Sequence, residues 1–148
     1  MTRAFVPEHF IVPTEYAGDG FRLEPLGQQH NERDHAAWMS SIDHIRSTPG
    51  FEHSDWPAPM DLNANRADLV SHATDFSNRE GFTYSIVAGD EVIGCVYIYP
   101  SPDETHDAAV RSWVRESRSE MDPIVRSQLS AWLRSRWPFR DPQYASRA

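Results

Sequence analysis

The stretch Phe82-Thr-Tyr-Ser-Ile-Val-Ala-Gly-Asp-Glu-Val-Ile-Gly-Cys-Val-Tyr-Ile-Tyr99 decides how this chain folds. Residues 83–88 and 91–99 are two runs rich in Ile, Val, Tyr and Thr, side chains that suit a pleated, half-buried surface. They meet at Gly89-Asp90, two residues that suit a tight hairpin turn. Gly94 interrupts the second run, as glycine does at a bulge or where something approaches the backbone closely. The rest of the chain is expected to pack around this hairpin.

On the N-terminal side, residues 1–20 hold Pro7 and Pro13 around Phe10-Ile11-Val12 and end in Gly18-Asp19-Gly20. They read as an extended arm with a short strand at Phe10–Val12, lying along a sheet edge. Residues 21–26 alternate as a strand with Phe21 and Leu23 inward, ending near Pro25. Asn31 is placed to cap a helix, with Glu32 and Asp34 in its first turn. Trp38, Ile42 and Ile45 then form one buried stripe. Asp61 caps a second helix with the stripe Leu62, Leu69, Ala73 and Phe76, and Val70 alongside. Gly81 stands where a left-handed residue would end that helix.

Beyond the hairpin, residues 103–106 form an acidic turn. A further strand follows at about 107–115, with Val110, Trp113 and Val114 as its apolar members. Asp122-Pro123 reads as a helix start, an N-cap acceptor followed by proline. Val125, Leu129, Trp132 and Leu133 give that helix its stripe, and residues 139–145 form a last strand. The order is β–α–α–β–β–β–α–β, an α+β arrangement in one domain over residues 21–148.

The 148 residues carry a formal charge of −8, which argues against nonspecific binding to nucleic acid or to an anionic membrane. The charge is uneven. Residues 1–110 hold six arginines against eighteen acids, and residues 111–148 hold eight arginines against four. There is no lysine. An anionic ligand therefore belongs on the C-terminal third. Cys95 is the only cysteine, so no internal disulfide forms, and it reads as a buried small apolar residue. The seven histidines show no metal-ligand spacing; His30 and His35 do not share a helix face. His72 reads as a hydrogen-bonded structural histidine. The N-terminus lacks the apolar core of a signal peptide and no run of about 18 apolar residues occurs, so a cytoplasmic protein is expected.

The ordered set Phe21–Leu26, Gly89–Tyr99 with Val92-Ile93-Gly94, Trp113-Val114, and Trp132-Leu133 before Trp137-Pro138-Phe139 resembles the GNAT N-acetyltransferase superfamily over about residues 21–145. The resemblance implies an acyl-CoA N-acyltransferase fold, a mixed, mainly antiparallel sheet flanked by helices. It also implies acetyl-CoA as cofactor and transfer of an acetyl group to a small amine or a protein amine. In that family the loop before the third helix carries glycines whose neighbouring N–H groups hold the pyrophosphate, because orphan N–H groups and the helix dipole attract an anion. The corresponding residues here, 115–124, contain no glycine, and Pro123 removes one N–H.

By that resemblance the backbone of Val96, Tyr97, Ile98 and Tyr99 contacts the acyl end of the cofactor. Arg115, Arg118 and Arg126 are the candidates for its phosphates. Glu104, His106 and Asp107, at the start of the strand that follows the hairpin, are the candidate general bases. The family's frequent tyrosine acid lies on a later helix and has no counterpart in this sequence. The other reading is a non-catalytic GNAT-like module without the cofactor clamp, which serves as a ligand-binding or dimerisation domain. The sheet edge would be covered by the Phe10–Val12 arm or by a second subunit in a homodimer.

Overall fold

The computed structural model describes residues 4–146. Its six strands stand side by side in chain order: β1 (Tyr16–Ala17), β2 (Arg22–Pro25), β3 (Phe82–Ala88), β4 (Glu91–Tyr99), β5 (Ala108–Val114) and β6 (Pro142–Tyr144). All neighbours are antiparallel except β5 and β6, which run parallel. Helices α1 (Asn31–Met39), α2 (Ile42–Arg46) and α3 (Leu62–Ser77) lie between β2 and β3, and α4 (Asp122–Arg136) between β5 and β6. The predicted α+β order is present, with β1 and a divided first helix added to it.

The hairpin takes the expected turn, with Gly89 at φ +61°. Its ladder slips by one residue, so that Ile86 faces Gly94 while Val87 faces Val92. The extra residue, Ile93, marks a bulge, and the side chains record it. Val92 and Cys95, an odd number of residues apart, share one face of the sheet, while Ile93, Val96 and Ile98 share the other. Gly94 sits against the next strand: a Cβ there would lie 2.0 Å from the Trp113 carbonyl oxygen.

Each sheet face has its own core. On one, Val125, Leu129, Trp132 and Leu133 of α4 pack over Tyr84, Ile86, Val96 and Val110. On the other, Ala37, Trp38, Ile45 and Leu69 of the first three helices pack over Val87, Val92, Cys95 and Trp113. The predicted stripe of α4 is buried throughout.

Several local expectations are corrected. The helix expected to run through Ile45 breaks after Met39, where Ser40 ends α1 and a second short helix starts at Ile42. Asn31 opens α1 instead of capping it, and its side chain turns to α3, donating to the Leu62 carbonyl at 3.0 Å. Asp61 does cap α3, accepting from the Ala64 N–H at 2.8 Å. That helix buries only Asn65 and Leu69; Leu62 and Val70 are 40% and 44% exposed. Arg79, not Gly81, takes the left-handed conformation after α3, at φ 59°. Gly81 is required by space: a Cβ there would enter the Tyr99 ring. Asp122 is the first residue of α4, whose N-cap is Met121.

Residues 10–12 form no strand. Phe5 stacks between Phe82 and Phe139, and Phe10 lies against Trp137, so this part of the chain covers the α4 face of the sheet. Arg79 holds it by donating to the Pro7 and Phe10 carbonyls at 2.7 and 2.9 Å. The edge of β2 is covered by β1. Among the described residues, no helix is long and apolar enough to cross a membrane.

Candidate functional site

A cleft of about 790 Å³ opens between α3, β4, β5 and the end of β6, lined among others by His72, Asp75, Tyr97, Tyr99, Arg111 and Tyr144. Its polar groups are linked. The Tyr99 hydroxyl donates to Asp75 Oδ2 at 2.8 Å, and its oxygen lies 3.0 Å from His72 Nδ1. Thr83 Oγ1 is 3.2 Å from the same nitrogen. Two tautomers fit these partners: Nδ1–H donating to Tyr99 leaves Nε2 with its lone pair, whereas Thr83 donating to Nδ1 puts the proton on Nε2.

Burial lowers the His72 pKa, against the opposing pull of Asp75 and Asp68, so the ring is neutral at pH 7. Burial pushes Tyr99 up to about 12, so it is a phenol and a donor. His72 and Asp75 are placed by the helix: three residues apart, they face the sheet together. That pairing was the sequence signal for this site.

Arg111 closes one side of the cleft. Its guanidinium lies 4.4 Å above the Phe51 ring and 5.4 Å from the Tyr97 ring centroid, and it donates to the Gly50 carbonyl at 2.8 Å. Among the described residues it has no carboxylate within ion-pair distance. Beyond it the parallel pair of β5 and β6 separates. The two strands pair from Ala108 to Val110, where the Val110 carbonyl accepts from Ala145 N–H at 2.8 Å. Two residues on from Val110, Ser112 is fully buried and its hydroxyl meets that of Tyr144 at 2.6 Å.

Val96, Tyr97, Ile98 and Tyr99 lie in β4. They belong to a central strand paired with β3 on one side and β5 on the other, so their N–H groups are in the ladders. Val96 and Ile98 point into the α4-side core; only Tyr97 and Tyr99 reach the cleft.

Glu104, His106 and Asp107 are brought together in a different hollow, against Phe5 and Arg140. Asp107 accepts from the backbone N–H groups of Arg140 and Asp141 at 2.7 and 3.0 Å, which fixes the turn into β6. His106 Nδ1 lies 3.1 Å from Asp141 Oδ2. None of the three lines the His72 cleft.

At the start of α4, residues 116–121 wind as a 3-10 turn. Arg118 meets Glu91 at 2.6 Å and Arg115 meets the same carboxylate at 3.2 Å. Arg118 holds the Glu91 carboxyl below the usual range. The two guanidiniums share this carboxylate, Glu120 adds a further negative charge near Arg118, and Arg115 Nε is buried without a hydrogen-bond partner. Arg126 is committed elsewhere, donating to the Ala145 carbonyl and lying 4.9 Å over the Tyr144 ring. Among the described residues, no group of His, Cys, Asp and Glu side chains is arranged to hold a metal ion.

No family sequence model matches the chain, and no curated protein sequence does. Solved structures do match. MccE, a microcin self-immunity acetyltransferase in complex with acetyl-CoA and AMP, superposes with a TM-score of 0.63 at 14% identity, over 78% of this chain and 62% of that one. RimL, a ribosomal alpha-N-protein acetyltransferase in complex with coenzyme A, gives 0.61 at 14% identity, over 80% and 67%. A probable GNAT-family acetyltransferase from Chromobacterium violaceum gives 0.54 at 15% identity, over 86% and 64%. The chain thus spans roughly two thirds of the length of these relatives. At such identities the likeness is one of architecture, and on it, with the curled six-stranded sheet and its flanking helices, this chain has the GNAT acyl-CoA N-acyltransferase fold.

Proposed function

We propose that the chain is a GNAT-type N-acyltransferase whose acceptor amine binds in the His72 cleft. The observation that carries this reading is His72, its pKa lowered by burial, held by Tyr99 and Asp75 in the wall of the cleft. An amine must lose a proton to become an amide. His72 Nε2 accepts it within the cleft, and Asp75 steadies the ring through Tyr99 as positive charge develops. Acetyl-CoA, when bound, supplies an activated acetyl group. The residues that fit its phosphates are Arg115 and Arg118, but only if Glu91, which they share, gives way to the incoming anion.

His72→Gln is expected to lower acetyl transfer by 10²–10⁴-fold, the usual contribution of a positioned base. Because the His72 pKa is lowered, the wild-type rate falls with acid only below the ordinary value of 6.5. Glu91→Gln frees both guanidiniums and is expected to tighten acetyl-CoA binding in calorimetry, while Arg118→Glu abolishes it. No heat and no thermal shift with millimolar acetyl-CoA or CoA, in wild type and in Glu91→Gln alike, sinks the enzyme reading.

The second reading, a ligand-binding module that keeps the scaffold and lacks the cofactor clamp, is favoured by the Glu91 pairing itself and by the missing glycines at 115–124. It predicts that light scattering or ligand screening, and not turnover, will report its activity. As a dimerisation domain it is removed by a monomer at high concentration.

A further inference from the structure

Next to the cleft lies a smaller cavity of about 240 Å³ that shares His72, Tyr97 and Arg111 with it. Its other walls include Trp56, Asp34, Asn65 and Asp68. Given about 30 Å³ per water in the liquid, it has room for a short alkyl chain with a polar head.

The lining holds two carboxylates, Asp34 and Asp68, against one guanidinium, Arg111. Asp34 is 3% exposed, and its carboxylate is met by two neutral donors: Asn65 Nδ2 at 3.1 Å on Oδ2 and Cys95 Sγ at 3.5 Å on Oδ1. Among the described residues no Arg or His nitrogen lies within ion-pair distance of it. A carboxylate buried without a cation is an expensive arrangement. Burial accordingly raises the Asp34 pKa, and a cation in the cavity would restore its charge.

Asp68, on the exposed side of α3, adds a second carboxylate to the same wall. Trp56 supplies an aromatic surface, fixed by ring contacts to Trp38, Phe51 and Trp113 at 5.5, 6.0 and 6.0 Å. Aromatic rings combined with carboxylates form a cage that recognises ammonium groups. Arg111, the one cation in the lining, is turned onto Phe51 and Tyr97 and bonded to Gly50, at the boundary with the outer cleft.

We propose that this inner cavity is a subsite for an ammonium group, so that the ligand is a diamine: one cationic end is held by Asp34, Asp68 and Trp56, and the other amine lies in the outer cleft at His72. The substrate class rests on the acceptor cleft proposed above. The binding step requires no acyl donor, so the two ideas fail separately.

The test is thermal shift and tryptophan fluorescence titration of the full chain with 1,4-diaminobutane, compared with n-butylamine and 1,4-butanediol, in the absence of CoA. Saturable binding is expected for the diamine, at least tenfold tighter than for the monoamine, with none for the diol. Asp34→Asn keeps the shape of the side chain and is expected to lose at least tenfold in affinity. Asp68→Asn, on the exposed side of α3, is the second variant, so a folding defect at position 34 does not spare the proposal. Equal binding of diamine and diol, no diamine binding, or wild-type affinity in both variants overturns it. Diamine binding without any response to acetyl-CoA overturns the acyl-transfer reading and leaves the subsite standing.

Discussion

Trp38→Ala is expected to lower the melting temperature by roughly 10–20 °C, the largest effect of any single substitution considered. Trp38 is completely buried under α1 and touches Trp56, and its Nε1 donates to Asn65 Oδ1 at 3.1 Å. Removing the indole leaves a cavity, which for Trp→Ala costs about 3–5 kcal/mol. It also strands the Asn65 oxygen in the interior, for about 1–3 kcal/mol more. Asn65 joins α3 to α1 through Asn31 Oδ1 and Asp34 Oδ2, so its orientation holds two helices and the wall of the inner cavity together. In a domain of this size each kcal/mol moves the midpoint by about 2–4 °C. Trp38→Phe retains most of the volume and is expected to lose about half as much. A fall of under 5 °C for the alanine variant, measured by calorimetry, would mean that the network repacks without the indole.

Gly94→Ala is expected to be nearly as damaging, although it adds only a methyl group. The added Cβ would lie 2.0 Å from the Trp113 carbonyl oxygen and 3.2 Å from the Val114 Cα, both of them backbone atoms of the neighbouring strand. A side chain could rotate away; two central strands must part. Overpacking of this kind costs about 3 kcal/mol or more, or about 6–12 °C in melting temperature. Gly89→Ala is the control. A Cβ there meets nothing within 4 Å, and the only penalty is the left-handed φ of +61°, on the order of 1 kcal/mol. Equal melting temperatures for the two variants would refute the close-approach account of Gly94.

The contrast between these glycines bears on what a sequence makes legible. Alternation and turn chemistry are local, so the hairpin, its bulge, the cap at Asp61 and the stripe of α4 could all be read directly. What failed was non-local. Asn31 has the side chain of a cap, but a carbonyl of α3 competes for it. Gly81 looked like a helix terminator because nothing in its neighbourhood announces the Tyr99 ring.

The site followed the same rule. Glu104, His106 and Asp107 are close in sequence and share one hollow, where Asp107 and His106 meet the turn into β6. The cleft draws its groups from α3, β4, β5 and β6, and no one segment holds them. His72 reads from the sequence as a hydrogen-bonded histidine, and the structure supplies those bonds from Tyr99 and Thr83, remote in the chain. The arginines at 115 and 118 were legible as cations; that Glu91 occupies them was not.

A sheet whose strands lie in chain order also sets a timetable for its own assembly. β3, β4 and β5 are joined by short connections, whereas β2 reaches β3 only after residues 26–81 have been looped out. Loop closure is entropically opposed, and more so the longer the loop. The three-strand meander is therefore expected to organise the rate-limiting step, with β2 and the first three helices docking afterwards. Conservative truncations in β4 should slow refolding, and those in β2 should mainly speed unfolding. The cleft, which needs α3 against the meander, would then be among the last parts of the molecule to form.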